Sequence, residues 1–236
     1  MNSNPPFTIV SGNWEIALFP PSFPAGVAML ADGAISQSGN ALSGIIHLRG
    51  SACFDTNLDD LMVSGTVAGS TLTLNTASLR GQVLSVIAMP DPNRPGGVNA
   101  LSGTWSLTGG TCANSGNSLM IFVPPISGTW AGPLANGLAG TAKATLTQTG
   151  PDAHGFFQVS GSFVFSGSAC LASGSVTSGT VSGLLGDILL NTNGAGQTHV
   201  TLVHDTGPPI ESLFTGFAIL SGTCPGVAGE ATLIKQ

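Results

Sequence analysis

The chain has 236 residues, of which 42% are hydrophobic and only 7% charged, with a net charge of −6. That length allows one large β domain or two of ordinary size, and the hydrophobic content excludes a disordered chain. Arg49, Arg80, Arg94, Lys143 and Lys235 are scattered, so the Lys/Arg stripe needed for nucleic acid or an anionic membrane surface is missing. No apolar run reaches the roughly 20 residues of a transmembrane helix, and three Trp with no Tyr are too few for the aromatic girdles of an outer-membrane barrel.

The chain opens on Met1-Asn2-Ser3-Asn4-Pro5-Pro6, a polar lead-in unlike a signal peptide. We read it as the start of a mature chain from which a signal sequence has been removed. The extended head, Asn2 to Ile9, is suited to pair with the strand edge of a neighbouring subunit. Val10-Ser11-Gly12-Asn13-Trp14 begins the first strand, and Asp32-Gly33 and Ser38-Gly39-Asn40 read as turn signals. Leu42–Arg49 alternates with period two, as a strand does. After Gly50-Ser51-Ala52-Cys53 comes an acidic loop holding Asp55, Asp59 and Asp60, with a short helical turn expected at Asn57–Leu61. Leu101–Thr108 is again an alternating strand. Val123-Pro124-Pro125-Ile126 is a stiff, extended connector.

Beyond the connector the sequence repeats. Val10–Trp14 returns as Ile126–Trp130, offset 116 (130 − 14). Leu42 through Cys53 returns as Val159 through Cys170, offset 117 (170 − 53). Gly65–Gly69 returns as Gly179–Gly183, offset 114 (179 − 65), and Leu101–Cys112 as Leu213–Cys224, offset 112 (224 − 112). Four blocks in one order indicate two homologous halves, 8–124 and 125–236. In the second half, period-two alternation and turn signals such as Asn193-Gly194 mark about eight strands. They lie near 127–132, 141–149, 156–166, 171–177, 179–191, 198–204, 212–221 and 229–235.

The cysteines repeat too: Cys53 and Cys112, then Cys170 and Cys224. Duplication favours one structural disulfide within each half, because a single ancestral unit would have needed its own bridge. No C-x-x-C or His partner accompanies any of them, which argues against zinc. Disulfides place the protein in an oxidising compartment: extracellular, cell-surface or periplasmic. The expected fold is all-β, with two tandem, roughly eight-stranded antiparallel barrels. A β-sandwich is the alternative closure.

The Gly-x-Trp opening of each half, the meander of strands and the late Gly-Thr motif resemble avidin- and lipocalin-type (calycin-like) barrels. The resemblance implies that Trp14 and Trp130 close the barrel floors and that a lumen could hold a small ligand. Avidin-type biotin pockets use a Tyr and several Trp that this chain does not supply, so the likeness is architectural.

Reactive side chains do not converge. His47 sits on a mixed strand face and has Val164 as its counterpart in the second half; His154 lies in the turn Gly150–Gly155. His199 and His204 share a strand at odd spacing, so they point to opposite faces and cannot share a metal. His204-Asp205 with Glu211 is the best acid–base cluster, yet adjacent strand residues also diverge. Asp55, Asp59 and Asp60 lack the Gly and terminal Glu of a calcium loop. No Gly-x-Ser-x-Gly sits at a strand-to-helix turn, and Glu15, Glu211 and Glu230 have no readable carboxylate partner.

The expectation is therefore an exported, non-catalytic structural or interaction protein without metal or cofactor, self-associating or binding other surface proteins. The alternative is a barrel binding a small apolar ligand, lined by residues such as Val27, Met29, Leu42, Phe157, Phe163 and Phe165. A third reading is an enzyme or inhibitor working through its loops.

Overall fold

The computed structural model of the protein describes residues 8–9, 11–22, 28–50, 59–91, 93, 99–110, 113–192, 196–205 and 211–236. Two closed, eight-stranded antiparallel barrels follow one another, each an up-and-down meander whose last strand returns to its first. The first is built from β1 (Gly12–Phe19), β2 (Met29–Ser38), β3 (Ala41–Arg49), β4 (Leu61–Ala68), β5 (Thr71–Thr76), β6 (Val83–Pro90), β7 (Ala100–Thr108) and β8 (Asn114–Val123). The second is built from β9 (Gly128–Ala135), β10 (Thr141–Thr149), β11 (Phe157–Ser166), β12 (Gly174–Ser182), β13 (Leu185–Thr192), β14 (Gly196–Asp205), β15 (Ser212–Ile219) and β16 (Ala228–Lys235). The chain divides into a compact unit of Met1–Val123 with Ala153–Gly155 and a second of Pro124–Asp152 with Phe156–Gln236.

Alternation decides what each barrel encloses. In β10, Ala142, Ala144 and Leu146 are buried while Lys143, Thr145 and Thr147 are exposed. Inside the second barrel, Phe163, Phe165 and Phe217 form an aromatic cluster with ring centroids 5.5–6.2 Å apart. The first barrel's interior is mostly aliphatic, with Ile16, Leu18, Ile35, Ile46, Leu72 and Leu74 fully buried beside Trp14 and Trp105. Trp14 and Trp130 are both at 0% exposure inside their barrels. Of the residues read as lumen lining, Leu42, Phe157, Phe163 and Phe165 are buried and Met29 packs on the core, while Val27 is outside the described residues.

Both barrels anchor their first strand with the same device. The Ile9 N–H donates to Gln37 Oε1 at 2.8 Å, and the Gln37 N–H donates to Ser11 Oγ at 3.1 Å. In the second barrel the Ile126 N–H donates to Gln148 Oε1 at 3.0 Å and the Gln148 N–H to Ser127 Oγ at 2.8 Å. A chain entering a barrel has backbone donors with no strand beside them, and this side-chain pair satisfies them.

Three local expectations are corrected. Asp32-Gly33 is mid-strand in β2 and makes no turn, whereas Gly39-Asn40 does turn. Gly33 lies opposite Trp14, and a Cβ there would meet the Ile45 carbonyl at 2.2 Å, so its glycine serves close packing. The break expected between 177 and 179 is instead a bulge at Thr177, unpaired between Val176 and Ser178; the hairpin turns at Gly183-Leu184. A bulge reverses the alternation and so imitates a strand end. The proposed turn at Asn57–Leu61 lies partly outside the described residues, and Leu61 already opens β4. Asn193-Gly194 also lies outside them.

Cys170 and Cys224 form a disulfide spanning 54 residues, with Cα atoms 5.2 Å apart. Cys53 and Cys112 lie outside the described residues. No helix among the described residues is long and apolar enough to cross a membrane.

Candidate functional site

Among the described residues, polar side chains gather in three places. The first is the outward face of β1–β3. Glu15 stands opposite Asp32, and Asp32 opposite His47, so the three form one cross-strand row on the face away from Trp14 and Ile16. All three are buried. Arg49 Nη2 donates to Asp32 Oδ1 at 2.9 Å, and its Nε lies 2.7 Å from Oδ2. One charge-assisted hydrogen bond and a second close ionic contact thus hold the buried carboxylate. Asp60 accepts from two sides, 3.3 Å from His47 Nε2 and 2.7 Å from His154 Nδ1. The bond to His154 holds its carboxyl below the usual carboxylate range; burial opposes this, and the His47 bond adds to it. Asp59 is engaged separately by Arg80 at 2.7 Å. Asp59 and Asp60 therefore belong to different ion pairs, and Asp55 lies outside the described residues. These carboxylates clamp strands and loops together. No group of three His, Cys, Asp or Glu able to hold a metal occurs among the described residues.

The second place is the Trp130 end of the second barrel. Trp130 Nε1 donates to the Ile126 carbonyl at 2.8 Å. Its ring meets the His204 imidazole edge-on, with centroids 5.6 Å apart, and Lys235 Nζ lies 5.3 Å from its centroid. Lys235 is paired to Glu211 at 2.5 Å. His204 is fully buried, and neither ring nitrogen has a hydrogen-bond partner among the described residues. Burial pushes its imidazole down from the ordinary histidine range; Glu211 opposes the shift, Lys235 reinforces it and Asp205 opposes it. The cluster read as His204, Asp205 and Glu211 thus does not assemble as an acid–base site. His204 points inward, Asp205 is exposed, and Glu211 serves Lys235.

The third place is the outer wall of β13–β16. Asp187, Thr201, Gly216 and Glu230 stand opposite one another in sequence across four strands. With no side chain at Gly216, this row dips into a groove flanked by Asn136, His199 and Phe214. His199 Nε2 is 2.7 Å from Asp187 Oδ2, and Asn136 Nδ2 donates to Glu230 Oε2 at 2.5 Å. The next row is apolar: Leu185, Val203 and Phe214 are paired in succession and exposed at 37%, 42% and 48%.

His199 and His204 occupy opposite faces of β14, as their odd spacing requires. Sequence reasoning missed Phe214, Gly216 and Asn136. The repeat alignment held the signal, since Ser102 and Thr104 are the counterparts of Phe214 and Gly216. An outward serine exchanged for phenylalanine has no packing motive.

No family model matches the chain, and no curated protein does. Among solved structures, kievitone hydratase from Nectria haematococca is similar at 10% identity and a TM-score of 0.28, over 99% of this chain and 92% of that one. A protein of unknown function from the DUF3598 family of Nostoc punctiforme PCC 73102 is similar at 10% identity and a TM-score of 0.25, over 95% of each chain. Both are distant likenesses, and the function has to be read from this chain's own residues.

Proposed function

We propose that this is an exported, non-catalytic interaction protein of the cell surface or extracellular space that works through the outer wall of its second barrel and not through a lumen or a reactive centre. One observation carries the reading: the paired, outward row Leu185, Val203 and Phe214 beside the Gly216 groove. Apolar side chains exposed in an unbroken row mark interaction surfaces more often than chance exposure does. The interior argues the same way, because Trp130, Phe163 and Phe217 are fully buried against the second barrel's core. An eight-stranded barrel has room for packed side chains or a small ligand, not both. The Cys170–Cys224 bridge suits an oxidising compartment. The N-terminal head Asn2 to Ile9 lies, apart from Thr8 and Ile9, outside the described residues and is not part of this reading.

The test is titration with the neutral apolar dye N-phenylnaphthylamine. Weak binding that is lost in Val203→Ser/Phe214→Ser is the expected result. Tight, saturable binding indifferent to those substitutions but altered by Phe217→Leu would put the ligand in the lumen and reject the outer-wall reading.

A further inference from the structure

The groove over Gly216 has a chemistry more specific than an apolar patch, and from it we propose that the outer wall of the second barrel binds a neutral oligosaccharide. This inference rests on the outer-wall reading above and names its ligand class. The groove is open and elongated, about 310 Å³ at its His199 end and about 410 Å³ at its Phe214 end, with Thr201, Gly216 and Glu230 common to both parts. From Asp187 to Glu230 the row crosses three strand spacings, about 14 Å.

Its polar groups are planar and already oriented. Glu230 is fixed by Asn136 and Asp187 by His199. Each pair retains unused acceptor lone pairs or amide donors. Thr201 contributes a hydroxyl between them. Carboxylate, amide and hydroxyl groups held along a row match the alternating donors and acceptors of a polyol. The exposed Phe214 ring at one end offers an apolar face against which the C–H face of a pyranose can lie.

Other occupants fit less well. An added peptide strand needs a free sheet edge, which the closed barrel lacks. An amphipathic helix needs a continuous apolar floor, and here Thr201 and Glu230 interrupt the apolar lining of Ala135, Val203 and Phe214. A polyanion would face the Glu230 carboxylate with no lysine or arginine lining the groove.

The first barrel supplies the control. Its corresponding row is Thr73, Ile87, Thr104 and Asn117, with a side chain where Gly216 leaves space and neither carboxylate. Restoring that threonine should close the groove, because a Cβ at Gly216 would already meet Thr201 Oγ1 at 2.8 Å.

The experiment is calorimetric titration of the full chain with neutral cello-, xylo-, manno- and chito-oligosaccharides. At least one should bind the native protein. Phe214→Ala should weaken that binding by about tenfold, which is the upper range of a stacking contact. Gly216→Thr should abolish it, and Ile87→Ala on the first barrel should leave it unchanged. Near-ultraviolet circular dichroism and melting confirm that each variant folds; a misfolded Gly216→Thr is replaced by Glu230→Gln, for which at least a several-fold loss is expected. Absence of binding across the whole panel, or binding unaffected by Phe214→Ala and Glu230→Gln, overturns the proposal. If the panel fails while dye binding still depends on Val203 and Phe214, only the saccharide is wrong; if that dependence also fails, the outer-wall reading falls with it.

Discussion

The two barrels share a scaffold and differ at equivalent positions, which separates what builds the fold from what was added to it. Trp14 packs edge-on against Phe122, its cross-strand partner, at 5.8 Å. Trp130 has Lys235 in that cross-strand place. Pro90 pairs with Leu101 in the first barrel, and the equivalent partner of Leu213 is His204. On the outer wall, Thr73, Ile87, Thr104 and Asn117 correspond to Asp187, Thr201, Gly216 and Glu230. The second barrel thus carries two carboxylates on its wall, and a lysine and a histidine beside Trp130, where the first has uncharged side chains. The first has its own buried ionic row on β1–β3. The buried Trp and the Gln–Ser anchor are common to both.

The largest expected effect probes whether the second barrel depends on its staple. Replacing Cys170 and Cys224 by Ser should cost about 4 kcal/mol, since a loop of that length is released in the unfolded chain. Denaturant unfolding with strand-resolved hydrogen exchange would place the loss in β9–β16; an equal loss in β1–β8 would mean that the barrels do not unfold independently.

Next comes the buried ion pair of the first barrel. Arg49→Met removes the guanidinium from a carboxylate that is 1% exposed. A loss of about 3 kcal/mol is expected, the low end for a broken buried pair because Arg49 is itself 24% exposed. The same exchange measurement should locate it in β1–β3.

His204 gives a smaller effect with a defined sign. Its folded-state affinity for protons is depressed, chiefly by burial. As pH falls below the unfolded histidine value of about 6.5, the unfolded chain takes up a proton that the folded barrel does not. The second barrel should therefore lose stability on acidification from that point, until His204 itself titrates. His204→Leu should remove this histidine-linked loss and raise stability near neutrality by about 1 kcal/mol, because an unsatisfied buried polar group is replaced by an apolar one. An unchanged slope between neutral and mildly acid melting curves would reject this account.

The smallest effect is on the wall. Phe214→Ala should alter stability by less than about 0.5 kcal/mol, as outward substitutions usually do. A larger loss would show that Phe214 supports the fold and is not free for recognition.

Duplication, strand rhythm and the antiparallel barrel were legible in the sequence because alternation and turn residues act locally. The Cys170–Cys224 pairing followed from the repeat alone. Local signals misled at Asp32-Gly33, where glycine answers a close approach to Ile45, and at Thr177, where a bulge reverses the alternation. The anchor formed by Gln37 and Gln148 was also in view, as Ser36-Gln37-Ser38-Gly39 and Thr147-Gln148-Thr149-Gly150, yet its partners come from the preceding strand segment.

The sequence by itself determined which residues face inward along regularly alternating strands such as Thr141–Thr149, and that the two halves follow one plan. It did not determine which side chains meet across strands, because register joins residues far apart in the chain. Asp187 and Glu230 are 43 residues apart (230 − 187) and become the ends of one row only through the pairing of β13, β14, β15 and β16. The register of those strand pairs aligned them, and the missing side chain at Gly216 opened the space between.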